Sequence, residues 1–255
     1  MEKAYYFGGE VMLISNQRSK RNMGSAARLK GSCCLINIYL RDQESFWPDE
    51  LKHDIVLRME QAVNFIINCA SEYNINVSIN QRSIGLDVDV EYPGAVPIDM
   101  FENIYWSEDA FTPIGYLNGN NFIKDIKKQF NAEQAALVFH INKPGRSYNI
   151  SYCYGSDKVF YAERCVMFSS YDGNIPTYAS SYAHEILHCF GAGELYFPFD
   201  STKERYTLAG NFFPNDVMFR VDSDINKISI GEYTAYRIGW LKSLKKKYWV
   251  FEDFC

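Results

Sequence analysis

A chain of 255 residues, 47% of them apolar and 22% charged, is long enough for a sizeable core and too apolar to remain disordered. Its formal net charge of −5 argues against a general nucleic-acid binder, which would carry a basic footprint. Seven cysteines, an odd number with no CxxC pair, indicate neither a disulfide framework nor a cysteine-based zinc site.

The N-terminus lacks a basic stretch followed by an apolar run, and no apolar segment reaches membrane length. The expected location is therefore the cytoplasm, or delivery by a route independent of a signal peptide, with no membrane and no nucleic acid as partner. The basic stretches Arg18 to Lys30 and Lys242 to Lys247 read as solvated surface.

Residues 1–31 are polar and contain glycine, which suits an N-terminal arm or a short hairpin. Residues 33–40 (CCLINIYL) read as a buried strand. Pro48 then opens a helix, with Asp49 and Glu50 favourably placed in its first turn. The spacing of Leu51, Ile55, Met59, Ala62, Val63, Ile66 and Ala70 carries that helix to about Ser71. Alternating β-branched residues over 73–90 predict one or two strands. Residues 92–118, with three prolines, read as loop, 121–130 as a short helix and 135–141 (AALVFHI) as a second buried strand. Residues 158–168 are a further strand candidate. Residues 177–190 form a helix free of internal Pro and Gly, started by Pro176 and stopped by Gly191. Residues 192–228 look mostly irregular, and 230–241 form a last helix. This order gives an α/β (α+β) class with a mixed twisted sheet.

Chemistry concentrates in the helix at 177–190. His184 and His188 are four apart, so both imidazoles lie on one face and can reach one metal ion. Glu185 follows the first histidine, where a carboxylate that stays off the metal can take a proton from a metal-activated water. His53 and His140 read as a surface and a core histidine. Cys189 reads as a buried structural thiol, and no serine carries a nucleophile signature.

The longer run His184-Glu-Ile-Leu-His188-Cys-Phe-Gly191-Ala-Gly-Glu194 resembles the metzincin zinc peptidases, whose extended motif is HExxHxxGxxH or HExxHxxGxxD. Gly191 stands at the glycine that turns the chain out of the helix, a position suited to a left-handed conformation. Glu194 stands at the third ligand, where His or Asp is usual. Glu204, Asp200 and Glu232 are alternative ligands, Glu232 being the one a gluzincin pattern would use. Asn215-Asp216-Val217-Met218-Phe219 resembles the metzincin Met-turn, with Met218 as its methionine. Some members carry a tyrosine two residues later, but Arg220 stands there, which leaves Tyr196 and Tyr206 as candidate transition-state stabilisers.

The resemblance implies a zincin-like fold in one catalytic domain over 1–255. Residues 32–191 would form an upper subdomain ending in the active-site helix, and 192–255 an irregular lower one. It further implies Zn2+ as cofactor, a protein or peptide substrate, and endopeptidase activity with Glu185 as general base. It also places the strand that pairs with substrate at 158–168. The other readings are a metal-binding zincin-fold regulatory protein without turnover and a metal-dependent hydrolase of a non-peptide bond.

Overall fold

A computed structural model describes residues 22–98, 102–152, 157–173, 175–197 and 202–252, together with the backbone of two N-terminal strands. Those strands, β1 (Lys3–Phe7) and β2 (Glu10–Ile14), pair antiparallel with Lys3 opposite Ile14, so the arm contains the expected hairpin.

The remaining strands form one mixed sheet. They are β3 (Gly31–Arg41), β4 (Val77–Ile84), β5 (Val90–Glu91), β6 (Gln134–Pro144), β7 (Tyr148–Ile150) and β8 (Arg164–Ser170). Their spatial order is β4-β3-β6-β8-β7, with β5 joining β3 at Leu40 and Arg41. β3, β4, β6 and β8 run parallel, and β7 lies antiparallel to β8 at the edge. The helices are α1 (Asp49–Glu72), α2 (Trp106–Asp109), α3 (Gly119–Gln129), α4 (Ala179–Cys189), α5 (Lys203–Phe212) and α6 (Glu232–Arg237).

The central strands are predominantly apolar because both sheet faces are covered. Cys33, Leu35, Tyr39, Ala136, Val138, Cys165 and Met167 share a core with Ile55, Met59, Ala62 and Ile66 of α1 and with Ala183, Ile186 and Leu187 of α4. The alternate residues, among them Ile36, Ile38, Leu137, Phe139 and Val166, pack against Trp106 and Phe111 and against Phe122, Ile123 and Ile126 of α3. Each fully buried Ile or Leu side chain contributes about 1.5–3 kcal/mol, so the two layers hold the sheet between them. His140 is the core histidine expected: it is fully buried, bonds Asn37 Oδ1 at 3.0 Å, and burial pushes it down to about 3. His53 is exposed.

Two expectations need correction. Residues 158–168 are not one strand. Lys158–Tyr161 form a 3-10 turn capped by Asp157, whose carboxylate accepts from Val159 N at 3.0 Å, and β8 begins only at Arg164. β8 is interior to the sheet, so the edge strand is the short β7 instead. Residues 192–228 are mostly irregular, as expected, with α5 as the helix within them. Thr202 caps α5 at Arg205 N, and among its residues only Ala209 is buried, so the helix lacks the apolar stripe that periodicity detects. Within 92–118 the segment Trp106–Asp109 is a helical turn, anchored by the fully packed Trp106.

The five cysteines of the described residues, Cys33, Cys34, Cys69, Cys165 and Cys189, are free and buried. No helix among the described residues is long and apolar enough to cross a membrane.

Candidate metal centre

α4 is buried along most of its length: Tyr182, Ala183, Ile186, Leu187 and Cys189 pack into the core. It ends in a two-bond cap. Gly191 N donates to His188 O at 2.9 Å and Ala192 N to Leu187 O at 3.1 Å, with Gly191 at φ +98°. This is the Schellman arrangement, which needs a left-handed residue after the helix, and glycine adopts it without a Cβ penalty. The chain therefore leaves α4 by a sharp turn, and Glu194 comes back to the helix.

The result is a triangle of donor atoms. His184 Nε2 and His188 Nε2 are 3.1 Å apart, and Glu194 Oε1 lies 3.0 Å from His188 Nε2 and 3.5 Å from His184 Nε2. Among the described residues this is the group of His, Cys, Asp and Glu side chains placed to hold a metal ion. Each ring is turned by a main-chain carbonyl. His184 Nδ1 donates to Val217 O at 2.9 Å and His188 Nδ1 to Ala192 O at 2.8 Å. A carbonyl oxygen only accepts, so Nδ1 carries the proton and Nε2 presents its lone pair.

Two lone pairs and a carboxylate thus converge on one point, an arrangement that repels itself unless a cation lies among them. Ligands about 2.0–2.1 Å from a tetrahedral zinc are about 3.3 Å from one another, close to the three edges observed. Glu194 Oε2 is buried without a hydrogen-bond partner. The donor set, spacing and orphaned oxygen all suit a divalent ion. A proton meets the same demand. Burial alone would lower His184, but Glu194 beside it lifts it to about 9; burial alone would raise Glu194, but the two imidazoles hold it well below the usual carboxylate range.

Glu185 is buried next to the triangle and outside the group of mutually close donors. Burial raises its carboxyl, and the histidines oppose that. Tyr196 is brought to the site: its ring lies 5.9 Å from that of His184, and its hydroxyl accepts from Arg146 Nη2 at 2.6 Å. Tyr206 is placed elsewhere, on α5, stacked on Phe219 at 5.2 Å. Of the alternative ligands, Glu204 is exposed on α5. Glu232 starts α6 and is paired with Lys245 at 2.5 Å. Asp200 lies outside the described residues. Arg220 pairs with Asp222 at 3.5 Å.

Met218 is fully buried in the core shared with Ala183 and Leu187, and its carbonyl accepts from Leu195 N at 3.1 Å. The turn around it is made by Asp216, a residue whose importance sequence reading missed. Asp216 Oδ1 accepts from Met218 N at 2.7 Å, and Oδ2 from Gly231 N at 2.7 Å and Thr234 Oγ1 at 2.8 Å. A side chain bonding the backbone two residues on is an Asx turn, so Asp two positions before Met was the available signal. Burial lifts the Asp216 carboxyl to about 6 against these donors.

Asn22 was also missed. Its Nδ2 lies 2.9 Å from both His188 O and Cys189 O, capping the last carbonyls of α4 from a segment far away in sequence.

Compared with known proteins, the chain matches no protein-family model, no curated protein and no solved structure.

Proposed function

We propose that the chain is a zinc-dependent endopeptidase with a zincin-like catalytic domain, in which His184, His188 and Glu194 hold the metal and Glu185 is the general base. The observation that carries this reading is the convergence of His184 Nε2, His188 Nε2 and Glu194 Oε1 while both Nδ1 atoms are tied to carbonyls. Three protein ligands leave a fourth position open, as catalysis requires. A zinc ion bound there would supply a Lewis acid and bring the pKa of a water in that position toward neutrality.

The rest falls to the protein's own residues. Glu185, raised by burial, is a better proton acceptor near neutral pH than a solvated carboxylate. It takes the proton from the attacking water and returns it to the leaving amine. Of the two tyrosine candidates, Tyr196 is the one near the imidazoles, where a phenol can stabilise the developing oxyanion. β7 supports a peptide as the substrate. Among the described strands it pairs only with β8, and its second side can accept an extended chain. Asn149 of β7 donates to Cys189 Sγ at 3.1 Å, which places that edge beside the end of α4.

The test combines metal analysis with Glu185→Gln. Both proteins are expected to hold one zinc per chain, and the variant to lose roughly 100-fold or more in kcat on a peptide substrate. A wild-type protein without stoichiometric metal, or a variant as active as wild type, overturns the reading.

A further inference from the structure

α1 and the 3-10 turn Ile225–Lys227 enclose an open groove of about 510 Å³, a size that suits a small ligand. Three carboxamides of α1, those of Gln61, Asn64 and Asn68, form one wall, with Glu72 beyond them. Ser223, Asp224 and Asn226 form the other. Phe65, Cys69, Ile225 and Ile228 supply an apolar floor that packs on the core beneath.

The wall on α1 is a costly choice for a surface helix. Exposed helix positions favour strong helix formers such as Glu, Lys and Ala. Asn is a poor one, because its amide competes for main-chain hydrogen bonds. Yet the spacing 61, 64, 68 sets the carboxamides on one exposed face, and within the described residues no hydrogen bond ties Asn64 or Asn68 to the main chain by its side chain. The opposite wall is held in shape. Asp224 Oδ1 accepts from Asn226 N and from Asn226 Nδ2, both at 3.1 Å. Ser180 of α4 fixes the chain just before it, donating to Asp222 O at 2.7 Å and accepting from Asp222 N at 3.1 Å.

This lining narrows the ligand. None of the lining residues is basic, and Glu72 and Asp224 bring negative charge, so a phosphate or carboxylate group is disfavoured there. A carboxamide both donates and accepts, as a hydroxyl does, and a carboxylate accepts. A neutral ligand rich in hydroxyls, with an apolar C–H face to lie on the Phe65 ring, matches both walls and the floor. An extended peptide matches less well, because a helix and a 3-10 turn offer no open strand edge to its main chain.

We infer that this groove binds a neutral saccharide, with Asn64 and Asn68 bonding its hydroxyls and Phe65 beneath its C–H face. The groove shares no lining residue with the metal centre, and the inference does not rest on the peptidase reading. The sugar can be free or carried on a protein; the chemistry in the groove is the same.

The test presents the full chain to an array of neutral, sialylated and sulfated glycans. The neutral glycans retained are then titrated by calorimetry, both as free oligosaccharides and on a carrier protein, which separates the two sources. Wild type is expected to retain neutral glycans with a Kd of about 1 mM or tighter. Asn64→Leu and Asn68→Leu keep the side-chain size and remove the amide. Each should weaken binding roughly 5–10-fold, the worth of one or two hydrogen bonds. Melting temperatures should hold or rise, since Leu is the better helix former. Asn226→Ala, on the opposite wall, should weaken binding as well. Glu185→Gln should bind the glycan as wild type does, so failure of the peptidase reading leaves this result untouched. The inference is overturned if no neutral glycan is retained, or if only sialylated or sulfated ones are. Retention that survives both leucine substitutions, or displacement of the glycan by unglycosylated peptides, overturns it too.

Discussion

His184 Nδ1 lies 2.9 Å from the carbonyl oxygen of Val217, thirty-three residues away in the chain. This bond joins α4 to the turn that contains Met218. It fixes both the tautomer and the aim of the imidazole, and it makes the Asp216 turn part of the site without touching the ligand atoms.

Asp216→Ala should therefore weaken both stability and metal binding. It removes the acceptor for Met218 N, Gly231 N and Thr234 Oγ1, leaving buried donors unsatisfied at about 1–3 kcal/mol each before relaxation. Urea unfolding of the metal-free protein should show a loss of at least about 2 kcal/mol. Zinc affinity, by competition with a chromogenic chelator, should fall roughly 10–100-fold, as for other losses of ligand-orienting groups. Unchanged zinc affinity would mean that the turn does not orient His184.

Glu194→Ala should lower zinc affinity by more than that, because it removes a ligand rather than its support. Glu194→Asp should fall between the two, since the shorter side chain retreats by one methylene from the 3.0 Å approach to His188 Nε2. If Glu194→Ala binds zinc as wild type does, the third ligand lies elsewhere.

Gly191→Ala tests the helix exit separately from crowding. A Cβ there would meet nothing closer than Arg237 O at 3.4 Å, so the cost comes from φ +98°. The expected destabilisation is about 1–3 kcal/mol in thermal or urea unfolding. A matching loss of zinc affinity is expected, because the same turn supplies Ala192 O to His188 and returns Glu194 to the triangle.

The metal-free protein should lose stability as the solution becomes alkaline. His184 rises from its ordinary 6.5 to about 9 in the folded state, so the folded protein binds that proton more tightly than the unfolded chain does. The contribution is complete below pH 6.5 and disappears as pH rises through about 9. Urea midpoints in EDTA between these limits should fall with pH, and less so in Glu194→Gln, which lacks the carboxylate that raises the histidine. Zinc binding runs in the opposite sense: it displaces that proton, so affinity should rise over the same interval with proton release on binding.

Asn22→Ala should loosen the end of α4, since Asn22 Nδ2 caps His188 O and Cys189 O at 2.9 Å each. The loss expected for such a cap is about 1 kcal/mol, read by urea unfolding, with faster amide exchange in the last turn of α4.

The sequence by itself determined the long elements and the spacing of the chemistry. Apolar runs at 33–40 and 135–141 had to be strands covered on both faces, and the i, i+4 pair His184 and His188 had to share a helix face. Gly191 had to be where the helix ends, because few other residues adopt that backbone. Each is a local consequence of side-chain period or backbone freedom. The tertiary structure decided the rest. It made the short Tyr148–Ile150 the sheet edge and put 164–170 inside, a matter of strand order that no single strand records. It folded α5 from residues with almost no buried face. It brought Tyr196 to the imidazoles and left Tyr206 on Phe219, although both are tyrosines after the motif. It aimed both histidines with the carbonyls of Val217 and Ala192, groups that every residue has and no sequence pattern marks. His184 and His188 were legible as a pair. Glu194 was legible too, as the carboxylate three residues after Gly191, whereas the direction of the His184 lone pair comes from Val217, in a segment that meets α4 only when the fold closes.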